Sequence, residues 1–365
     1  MAIVLIMTIL LCNNVMGMAM EMESTSDITA SQIKEQAVAL LKEGYEEYYD
    51  FKESDITLCE RKTSENQVEE KYLLEVVVQL KEKDVLELDY FKGMAAYNEE
   101  LNREVELLCE KSSLEPETDM LQTLEISNAE LKKTYNNLEQ YIGQDQELCF
   151  YLEVIYHDDE RHILFENGLD YVPVEQIFPQ SPEELKEDGY AALEERIERE
   201  TIEQKTRTQR ASSYSIYNAV WYTEAYTSNP KSCSIHGTSC GMLVDTSKYN
   251  SSYKNYADGH SDCANFMSQT LCAGGIPTDS TWYAGAKAWI NVASLCNYMT
   301  GKGYWKTVSS SSVAVVDFLK FKNYSHIVMI AAHDGVTFRY SGHTNDRKDY
   351  PITLSSSDTY YRITY

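Results

Sequence analysis

The acidic residues of this chain are concentrated in its first part, and this uneven charge is the feature that most limits how it can fold. The whole sequence contains 58 acidic and 32 basic residues, and residues 213–365 contain only 10 and 12 of them, so residues 1–212 carry 48 and 20. Segments of such different composition are typical of separate structural units. A length of 365 residues allows two units. The net charge of -26 argues against nucleic acid as a partner, because its phosphates would be repelled.

The N-terminal segment carries a targeting pattern. The apolar run Ala2–Leu11 is too short to span a bilayer comfortably, and the small residues Gly17 and Ala19 follow it near a plausible cleavage point. We therefore predict a signal peptide over residues 1–20, a secreted or cell-surface protein, and no further membrane span. The alternatives are a buried N-terminal strand and lipidation at Cys12.

The first unit combines helical and strand patterns. In two segments apolar residues recur at helical spacing, and in another they alternate as in a strand with one buried face. The predicted elements are helices over 31–50 and 121–143, a strand over 73–81 and a β-hairpin over 149–168. We predict an α+β accessory domain over 25–190 and a charged helical linker over 191–213.

The second unit, residues 214–365, contains the segment DCANFMSQTLCAGG, Asp262–Gly275. Asp262 can cap a short helix, and the glycine pair Gly274–Gly275 can end it. Cys263 then lies in the first turn, where the partial positive charge of the helix N-terminus favours a thiolate. A thiolate is the nucleophilic form of cysteine, and a neighbouring histidine would increase its population further.

His326 is the candidate for that histidine. It precedes the apolar run IVMIAA, so strand alternation places it on one face with Val328 and Ile330. A polar side chain at the start of a buried strand needs a partner, and a thiolate would supply one. A hairpin turn after the strand would bring His343 and Asn345 back beside His326, and either could orient its imidazole.

Several motifs in order resemble the bacterial putative amidase domain family, which is related to CHAP-type and other papain-fold amidases and peptidases. They are YNAVWYTEAYTSNP, YADGHSDCANFMSQTLCAGGIP, SHIVMI and GHTND, and they extend over roughly residues 214–365. The resemblance implies an α+β, papain-like domain in which a helix carrying the cysteine packs against an antiparallel sheet carrying the histidine.

The resemblance also implies the roles of individual residues. Cys263 is the expected nucleophile, His326 the base, and His343 or Asn345 the orienting group. Tyr256 is the match to an oxyanion contributor upstream of the cysteine. Asp262 is placed with it in the oxyanion and substrate-binding set.

The implied function is a secreted cysteine-dependent amidase or peptidase acting on a peptide or on peptidoglycan, with no metal or organic cofactor. One departure qualifies it: family members carry Gly-Asp before the histidine strand, and this chain has Val316–Asp317. The alternative is therefore a papain-like cell-surface binding module without turnover. A third interpretation assigns ligand binding to a cleft in the first unit.

Cys233 and Cys240 flank the turn-like segment SIHGTS. A local disulfide is the pairing that this spacing favours in an exported protein. A metal site that includes His236 and a pair of free thiols are the alternatives, and no metal is predicted because the spacing matches no zinc pattern.

Overall fold

The computed structural model describes residues 29–64, 67–111, 118–157, 160–165, 176–206, 214–237 and 240–365. The predicted signal peptide, residues 1–20, lies outside the described residues. So does the end of the predicted linker, residues 207–213.

The first unit is a four-stranded antiparallel meander with four helices. Its elements are α1 (Ala30–Tyr45), β1 (Tyr49–Thr63), β2 (Gln67–Leu80), α2 (Asp89–Lys111), α3 (Thr118–Glu139), β3 (Asp145–His157), β4 (Glu160–Phe165) and α4 (Pro182–Thr206). The strands lie in sequence order. The two helices, the strand and the hairpin predicted from periodicity are confirmed, with ends that differ by one to six residues, and the predicted end of the hairpin at Gly168 lies outside the described residues.

The segment expected to act as a linker packs against the first unit as far as it is described. Leu193 and Ile197 of α4 are buried in a cluster with Met94 of α2. The two helices approach closely at a pair of glycines: a Cβ on Gly93 would lie 1.9 Å from the Lys186 carbonyl oxygen, and a Cβ on Gly189 would meet α2 in the same way. Since only glycine permits this approach, residues 191–206 are a packed helix and not a free spacer.

The second unit places helices against a six-stranded antiparallel sheet of order β5-β10-β6-β7-β8-β9. Its elements are α5 (Ile216–Tyr226), α6 (Cys263–Ala273), α7 (Lys287–Ile290), α8 (Val292–Gly301), β5 (Trp305–Val308), β6 (Phe318–Lys320), β7 (Ile327–His333), β8 (Phe338–Gly342), β9 (Arg347–Ile352) and β10 (Thr359–Ile363). The predicted α+β class is confirmed. None of the helices in the described ranges is long and apolar enough to cross a bilayer.

The central strand β7 is buried on both faces. Ile327 and Met329 pack in the cluster that contains α6, whereas Val328 and Ile330 pack in a second cluster. That second cluster also contains the core of the first sheet, including Phe150. The two faces of β7 therefore look toward different parts of the molecule.

The two units share this core, although a separate accessory domain was expected. Tyr151 of β3 stacks on Tyr350 of β9 with ring centroids 6.3 Å apart, and the Arg347 guanidinium lies 3.7 Å from the centre of the Tyr151 ring. The Tyr49 hydroxyl lies 2.9 Å from both Asp334 and Thr337. The two parts of the chain therefore differ in the charge of their surfaces, but their cores are continuous.

Val316, at a position where the resemblance implies glycine, has a φ of 76°. This left-handed conformation suits glycine and is costly for a β-branched residue. The backbone still bridges to β7, since the Val316 N–H donates to the Ile330 carbonyl at 2.8 Å. The chain has therefore kept a glycine conformation without the glycine.

A pair of substitutions at this position tests the backbone strain. Val316→Gly and Val316→Ala both remove the buried side chain, but only alanine retains a Cβ at positive φ. We expect the glycine variant to be more stable than the alanine variant by about 1 kcal/mol, the reverse of the order at ordinary positions. Urea unfolding of both variants measures the difference, and an alanine variant of equal or greater stability would contradict a left-handed Val316.

Candidate active site

Cys263 is the first residue of α6, as predicted, but the helix is capped by a residue distant in sequence. The side chain of Asp262 makes no cap hydrogen bond. Instead, the Thr344 hydroxyl oxygen accepts the backbone N–H groups of both Asp262 and Cys263 at 2.9 Å. Thr344 itself has a φ of 97°. The start of the helix is therefore held by the GHTND segment.

The Asp262 carboxylate is buried and ties three elements together. One oxygen accepts the Tyr256 backbone N–H at 2.7 Å and the Asn265 side-chain amide at 2.9 Å. The other lies 2.8 Å from Nδ1 of His343. Tyr256 thus meets the site through its backbone, and its ring lies 5.0 Å from the Lys254 ammonium.

His343 is enclosed between acceptors and aromatic rings. Its Nε2 lies 2.7 Å from the backbone carbonyl oxygen of Tyr226, which can only accept, so Nε2 donates. Its Nδ1 faces the Asp262 carboxylate, which also accepts when it is ionised. The ring is stacked between Tyr249 and Phe266, each with a centroid separation of 3.7 Å. This arrangement suits an imidazolium paired with a carboxylate and flanked by two π faces.

The Cys263 thiol lies against the backbone on either side of His326. Its sulfur is 3.9 Å from the Ser325 carbonyl oxygen, and the side chain is 5% exposed. Burial raises the pKa of the Cys263 thiol, and the Ile327 N–H and the Thr344 hydroxyl offset part of that effect. In this state the thiol form is favoured, whereas a helix N-terminus alone would favour the thiolate.

His326 lies on the face of the sheet that the alternation predicted. It lies opposite Phe321 on the adjacent chain segment, and the two rings are stacked with centroids 5.7 Å apart. Phe321, Val328 and Ile330 belong to the core shared with the first unit, so the imidazole is on the opposite face from α6. Burial, assisted by the positive charge of Arg347, lowers the pKa of His326 to about 3.

The burial of two histidines predicts that the free energy of unfolding depends on pH. Burial also lowers the pKa of His333 to about 3. Above pH 6.5 both rings are neutral in the folded and unfolded chain and add no pH dependence. Below it the unfolded chain binds protons that the folded chain does not, so each histidine lowers the free energy of unfolding by about 1.4 kcal/mol per pH unit down to about pH 3.

Urea unfolding at several values between pH 6.5 and 5 measures this slope. His333→Leu removes one titrating group and leaves every carboxylate in place. We expect the slope of the variant to be smaller than that of the unmodified chain by about 1.4 kcal/mol per pH unit. An unchanged slope would show that His333 is able to bind a proton in the folded state.

The structure brings Cys263, Asp262, Tyr256 and His343 together. The side chains of the remaining predicted residues lie apart from this group. The side-chain oxygen of Asn345 accepts the Leu243 N–H at 2.9 Å and so supports a loop. The role of each residue as nucleophile, base or orienting group stays a prediction. Thr344 was missed, although it lies between two residues that the sequence analysis selected.

The cysteines of the second unit do not form the predicted disulfide. All seven cysteines whose side chains the structure describes are free. Cys233 and Cys240 lie instead beside His236, and one donor atom from each of the three falls within 4.8 Å of the others. These residues are the group most suited to hold a metal in the described part of the chain.

Comparison with protein families matches residues 213–365 to the putative amidase domain family. This confirms the resemblance for the C-terminal residues, which contain α5, α6 and the six-stranded sheet. The match supports a hydrolase that acts on amide bonds. Neither a curated protein nor a solved structure gives a significant match to the chain.

Proposed function

We propose, on the premise that residues 213–365 form an amidase domain, that this domain is a cysteine-dependent amidase or peptidase with Cys263 as its nucleophile. One observation carries the proposal. Cys263 begins a buried helix, and its sulfur lies against the backbone that flanks His326 at the start of a sheet strand. A cysteine at a helix start beside a histidine-bearing strand is the arrangement that a papain-like hydrolase requires.

The reaction would proceed in two steps. The imidazole of His326 accepts the thiol proton, and the sulfur of Cys263 attacks the amide carbonyl carbon. The tetrahedral intermediate collapses to a thioester, and the leaving amine takes the proton from the imidazolium. Water, deprotonated by the same imidazole, then attacks the thioester and releases a carboxylic acid and the free thiol.

The resting arrangement is not yet the reactive one. The His326 ring and the Cys263 sulfur are on opposite faces of the strand, and the N–H of Cys263 is occupied by the Thr344 hydroxyl. Catalysis therefore requires the imidazole to reach the α6 side and a backbone N–H to become available for the oxyanion. Catalytic hydrogen bonds are often long or poorly aligned before substrate binds. The proposal requires a larger change, a local rearrangement of the backbone at the start of β7.

The role that we propose for His343 differs from the one implied by the resemblance. Its two nitrogens are engaged by Asp262 and Tyr226, so it fixes the residue that precedes the nucleophile. We infer that it positions the start of α6 and does not orient the His326 ring. Asn345 holds Leu243 and is likewise a positioning residue.

We propose a peptide or a peptidoglycan stem peptide as the substrate and an extracellular location for the protein. The apolar run Ala2–Leu11 supports export. Residues 213–365 carry 12 basic and 10 acidic residues, so this part of the chain does not repel an anionic wall as the acidic first part would.

Release of amino groups tests the proposal. The full chain is incubated with purified peptidoglycan and with a panel of acylated peptides, before and after treatment with iodoacetamide. Mass spectrometry follows which cysteines are alkylated. Activity that disappears in step with alkylation of Cys263 would support the proposal, and activity that survives complete alkylation of Cys263 would exclude it.

A binding module without turnover is the second candidate, and two observations favour it. Burial raises the pKa of the Cys263 thiol, and Val316 occupies the strained glycine position. If no substrate is cleaved and Cys263 reacts no faster than an ordinary buried thiol, retention of the chain on insoluble peptidoglycan becomes the informative measurement. Retention without turnover would establish this second function.

A further inference from the structure

Two thiols and two imidazoles converge in the loop between α5 and α6. The sulfurs of Cys233 and Cys240 and a ring nitrogen of His236 all lie within 4.8 Å of one another. A fourth donor comes from farther along the chain, because Nε2 of His260 lies 3.4 Å from the Cys240 sulfur. The two imidazole rings are stacked with centroids 5.3 Å apart.

Two distances at the Cys240 sulfur match the edge expected of a tetrahedral zinc site, although His260 is not among the three side chains whose donor atoms all lie within 4.8 Å of one another. Zinc binds thiolate sulfur at about 2.3 Å and imidazole nitrogen at about 2.0–2.1 Å, which places sulfur and nitrogen about 3.6 Å apart in a tetrahedral site. The Cys240 sulfur is 3.4 Å from both the His236 and the His260 nitrogen. Two separate sulfur–nitrogen edges thus agree with the expected value.

We propose that Cys233, His236, Cys240 and His260 bind one zinc ion in a closed structural site. Thiolate and imidazole together favour zinc over magnesium, calcium or manganese, which prefer oxygen ligands. Four protein ligands leave no open position for a reacting water, so the site stabilises the fold and does not take part in hydrolysis. This proposal replaces the sequence-based prediction of no metal, and it does not depend on the proposed amidase activity.

The surroundings of the four side chains support a binding site. The N–H of His236 donates to the Cys233 sulfur at 3.4 Å, which orients that sulfur within the turn. On the other side, Nδ1 of His260 faces the Met242 sulfur, so its Nε2 is the nitrogen directed at Cys240. His260 reaches this position with a φ of 49°, a left-handed conformation.

Regular secondary structure contributes little to the shape of this loop. Within the described residues between 227 and 261, it is limited to short 3-10 segments, among them Thr246–Lys248 and Ala257–Gly259. The small buried cluster there contains only Cys233, Val244, Tyr249 and Ala257. Long connections without secondary structure and with so small a core are commonly stabilised by a metal or a disulfide.

A bound metal would connect this loop to the nucleophile. His260 is two residues from Asp262, which contacts His343 and precedes Cys263. The same loop accepts support from the GHTND segment, where Asn345 and Asp346 bind the N–H groups of Leu243 and Asp245. Zinc would therefore help to fix the chain segment that leads into α6.

Metal analysis of the full chain tests the proposal. We expect the chain, purified under reducing conditions with zinc present and then dialysed, to retain about one zinc per chain. Cys240→Ser and His260→Ala should lose most of it. Cys272→Ser, which removes a thiol outside the cluster on α6, should retain it and is the matched control.

Cobalt gives a readout that does not depend on the variants folding. Cobalt titrated into metal-free unmodified chain should give the intense visible bands of a tetrahedral site and a near-ultraviolet thiolate charge-transfer band. We expect a variant that lacks one ligand to bind more than about 100-fold more weakly, because loss of a second-shell partner alone costs 10–100-fold.

Three outcomes would overturn the proposal. The reduced chain could bind no zinc above the level of the Cys240→Ser variant. Cobalt could give only the weak spectrum of an octahedral ion. Mass spectrometry could find Cys233 and Cys240 joined in a disulfide, two hydrogens lighter, in the protein as secreted by the cell.

Discussion

Replacing Cys263 with alanine is expected to lower kcat/KM for amide hydrolysis by about 10⁴- to 10⁶-fold, as for the loss of other covalent nucleophiles. Alanine cannot form the thioester, so the two-step route is closed. Stability should change far less than activity, because the substitution removes a single buried sulfur atom whose hydrogen bond to the Ser325 carbonyl is long at 3.9 Å. The measurement is kcat/KM on the best substrate from the panel, together with a urea unfolding curve.

The matched control is Cys272→Ala, at the opposite end of the same helix. Cys272 is half-buried, and it lies beside Tyr253 and not beside the sheet backbone that flanks His326. We expect its kcat/KM to stay within about threefold of the unmodified chain, the usual scale for changes remote from reacting groups. If Cys263→Ala retained more than a tenth of the activity, Cys263 would not be the nucleophile.

The local part of the site could be predicted from the sequence because it depends on local rules. The end of α6 follows from the glycine pair Gly274–Gly275, of which Gly275 has a φ of 111°. The start was predicted at the right residue, but Asp262 does not cap it as predicted. The shared face of His326, Val328 and Ile330 follows from the period of a strand. Alternation gives the partition of side chains between two faces, but it does not say which face α6 covers.

The sequence analysis assumed that the strand face carrying His326 looks toward the nucleophile. This assumption was wrong. Both faces of β7 are apolar, and the sequence of the second unit alone contains no signal that the first unit covers one of them. That face belongs to the core that includes Phe150 of β3, more than 150 residues earlier in the chain. Charge composition indicated a separate unit because it reports mainly surface residues, whereas the shared core consists mostly of uncharged ones.

Contacts distant in sequence account for the other omissions. Thr344 holds the start of α6 across about 80 residues, and its left-handed conformation depends on the packing around it. The sequence-based predictions gave His260 no role. Its position beside Cys240 depends on the path of a loop with almost no regular structure, which periodicity cannot describe.

Replacing Asp262 with asparagine is expected to lower the free energy of unfolding by about 3–5 kcal/mol, the usual cost of removing one partner of a buried ion pair. The substitution keeps the size of the side chain but removes the charge that faces Nδ1 of His343 at 2.8 Å. His343 and Asp262 are each only 1% exposed, so water cannot replace the lost partner. Urea unfolding at pH 7 measures the loss.

A nearby carboxylate provides the matched control. Asp346 is equally buried and accepts the Tyr249 hydroxyl and the Asp245 N–H, so its hydrogen-bonded partners carry no charge. Burial raises the pKa of Asp346 and so favours its neutral form, which asparagine resembles. We expect Asp346→Asn to cost about 1–2 kcal/mol, the scale of one disturbed buried hydrogen bond.

A double-mutant cycle identifies the reason for the loss. If Asp262 stabilises the fold by neutralising a buried imidazolium, the cost of Asp262→Asn should fall to about 1–2 kcal/mol in a chain that already carries His343→Gln, because the charge it compensated is gone. Additive losses would contradict an ion pair and leave the hydrogen bonds of Asp262 to Tyr256 and Asn265 as its main contribution.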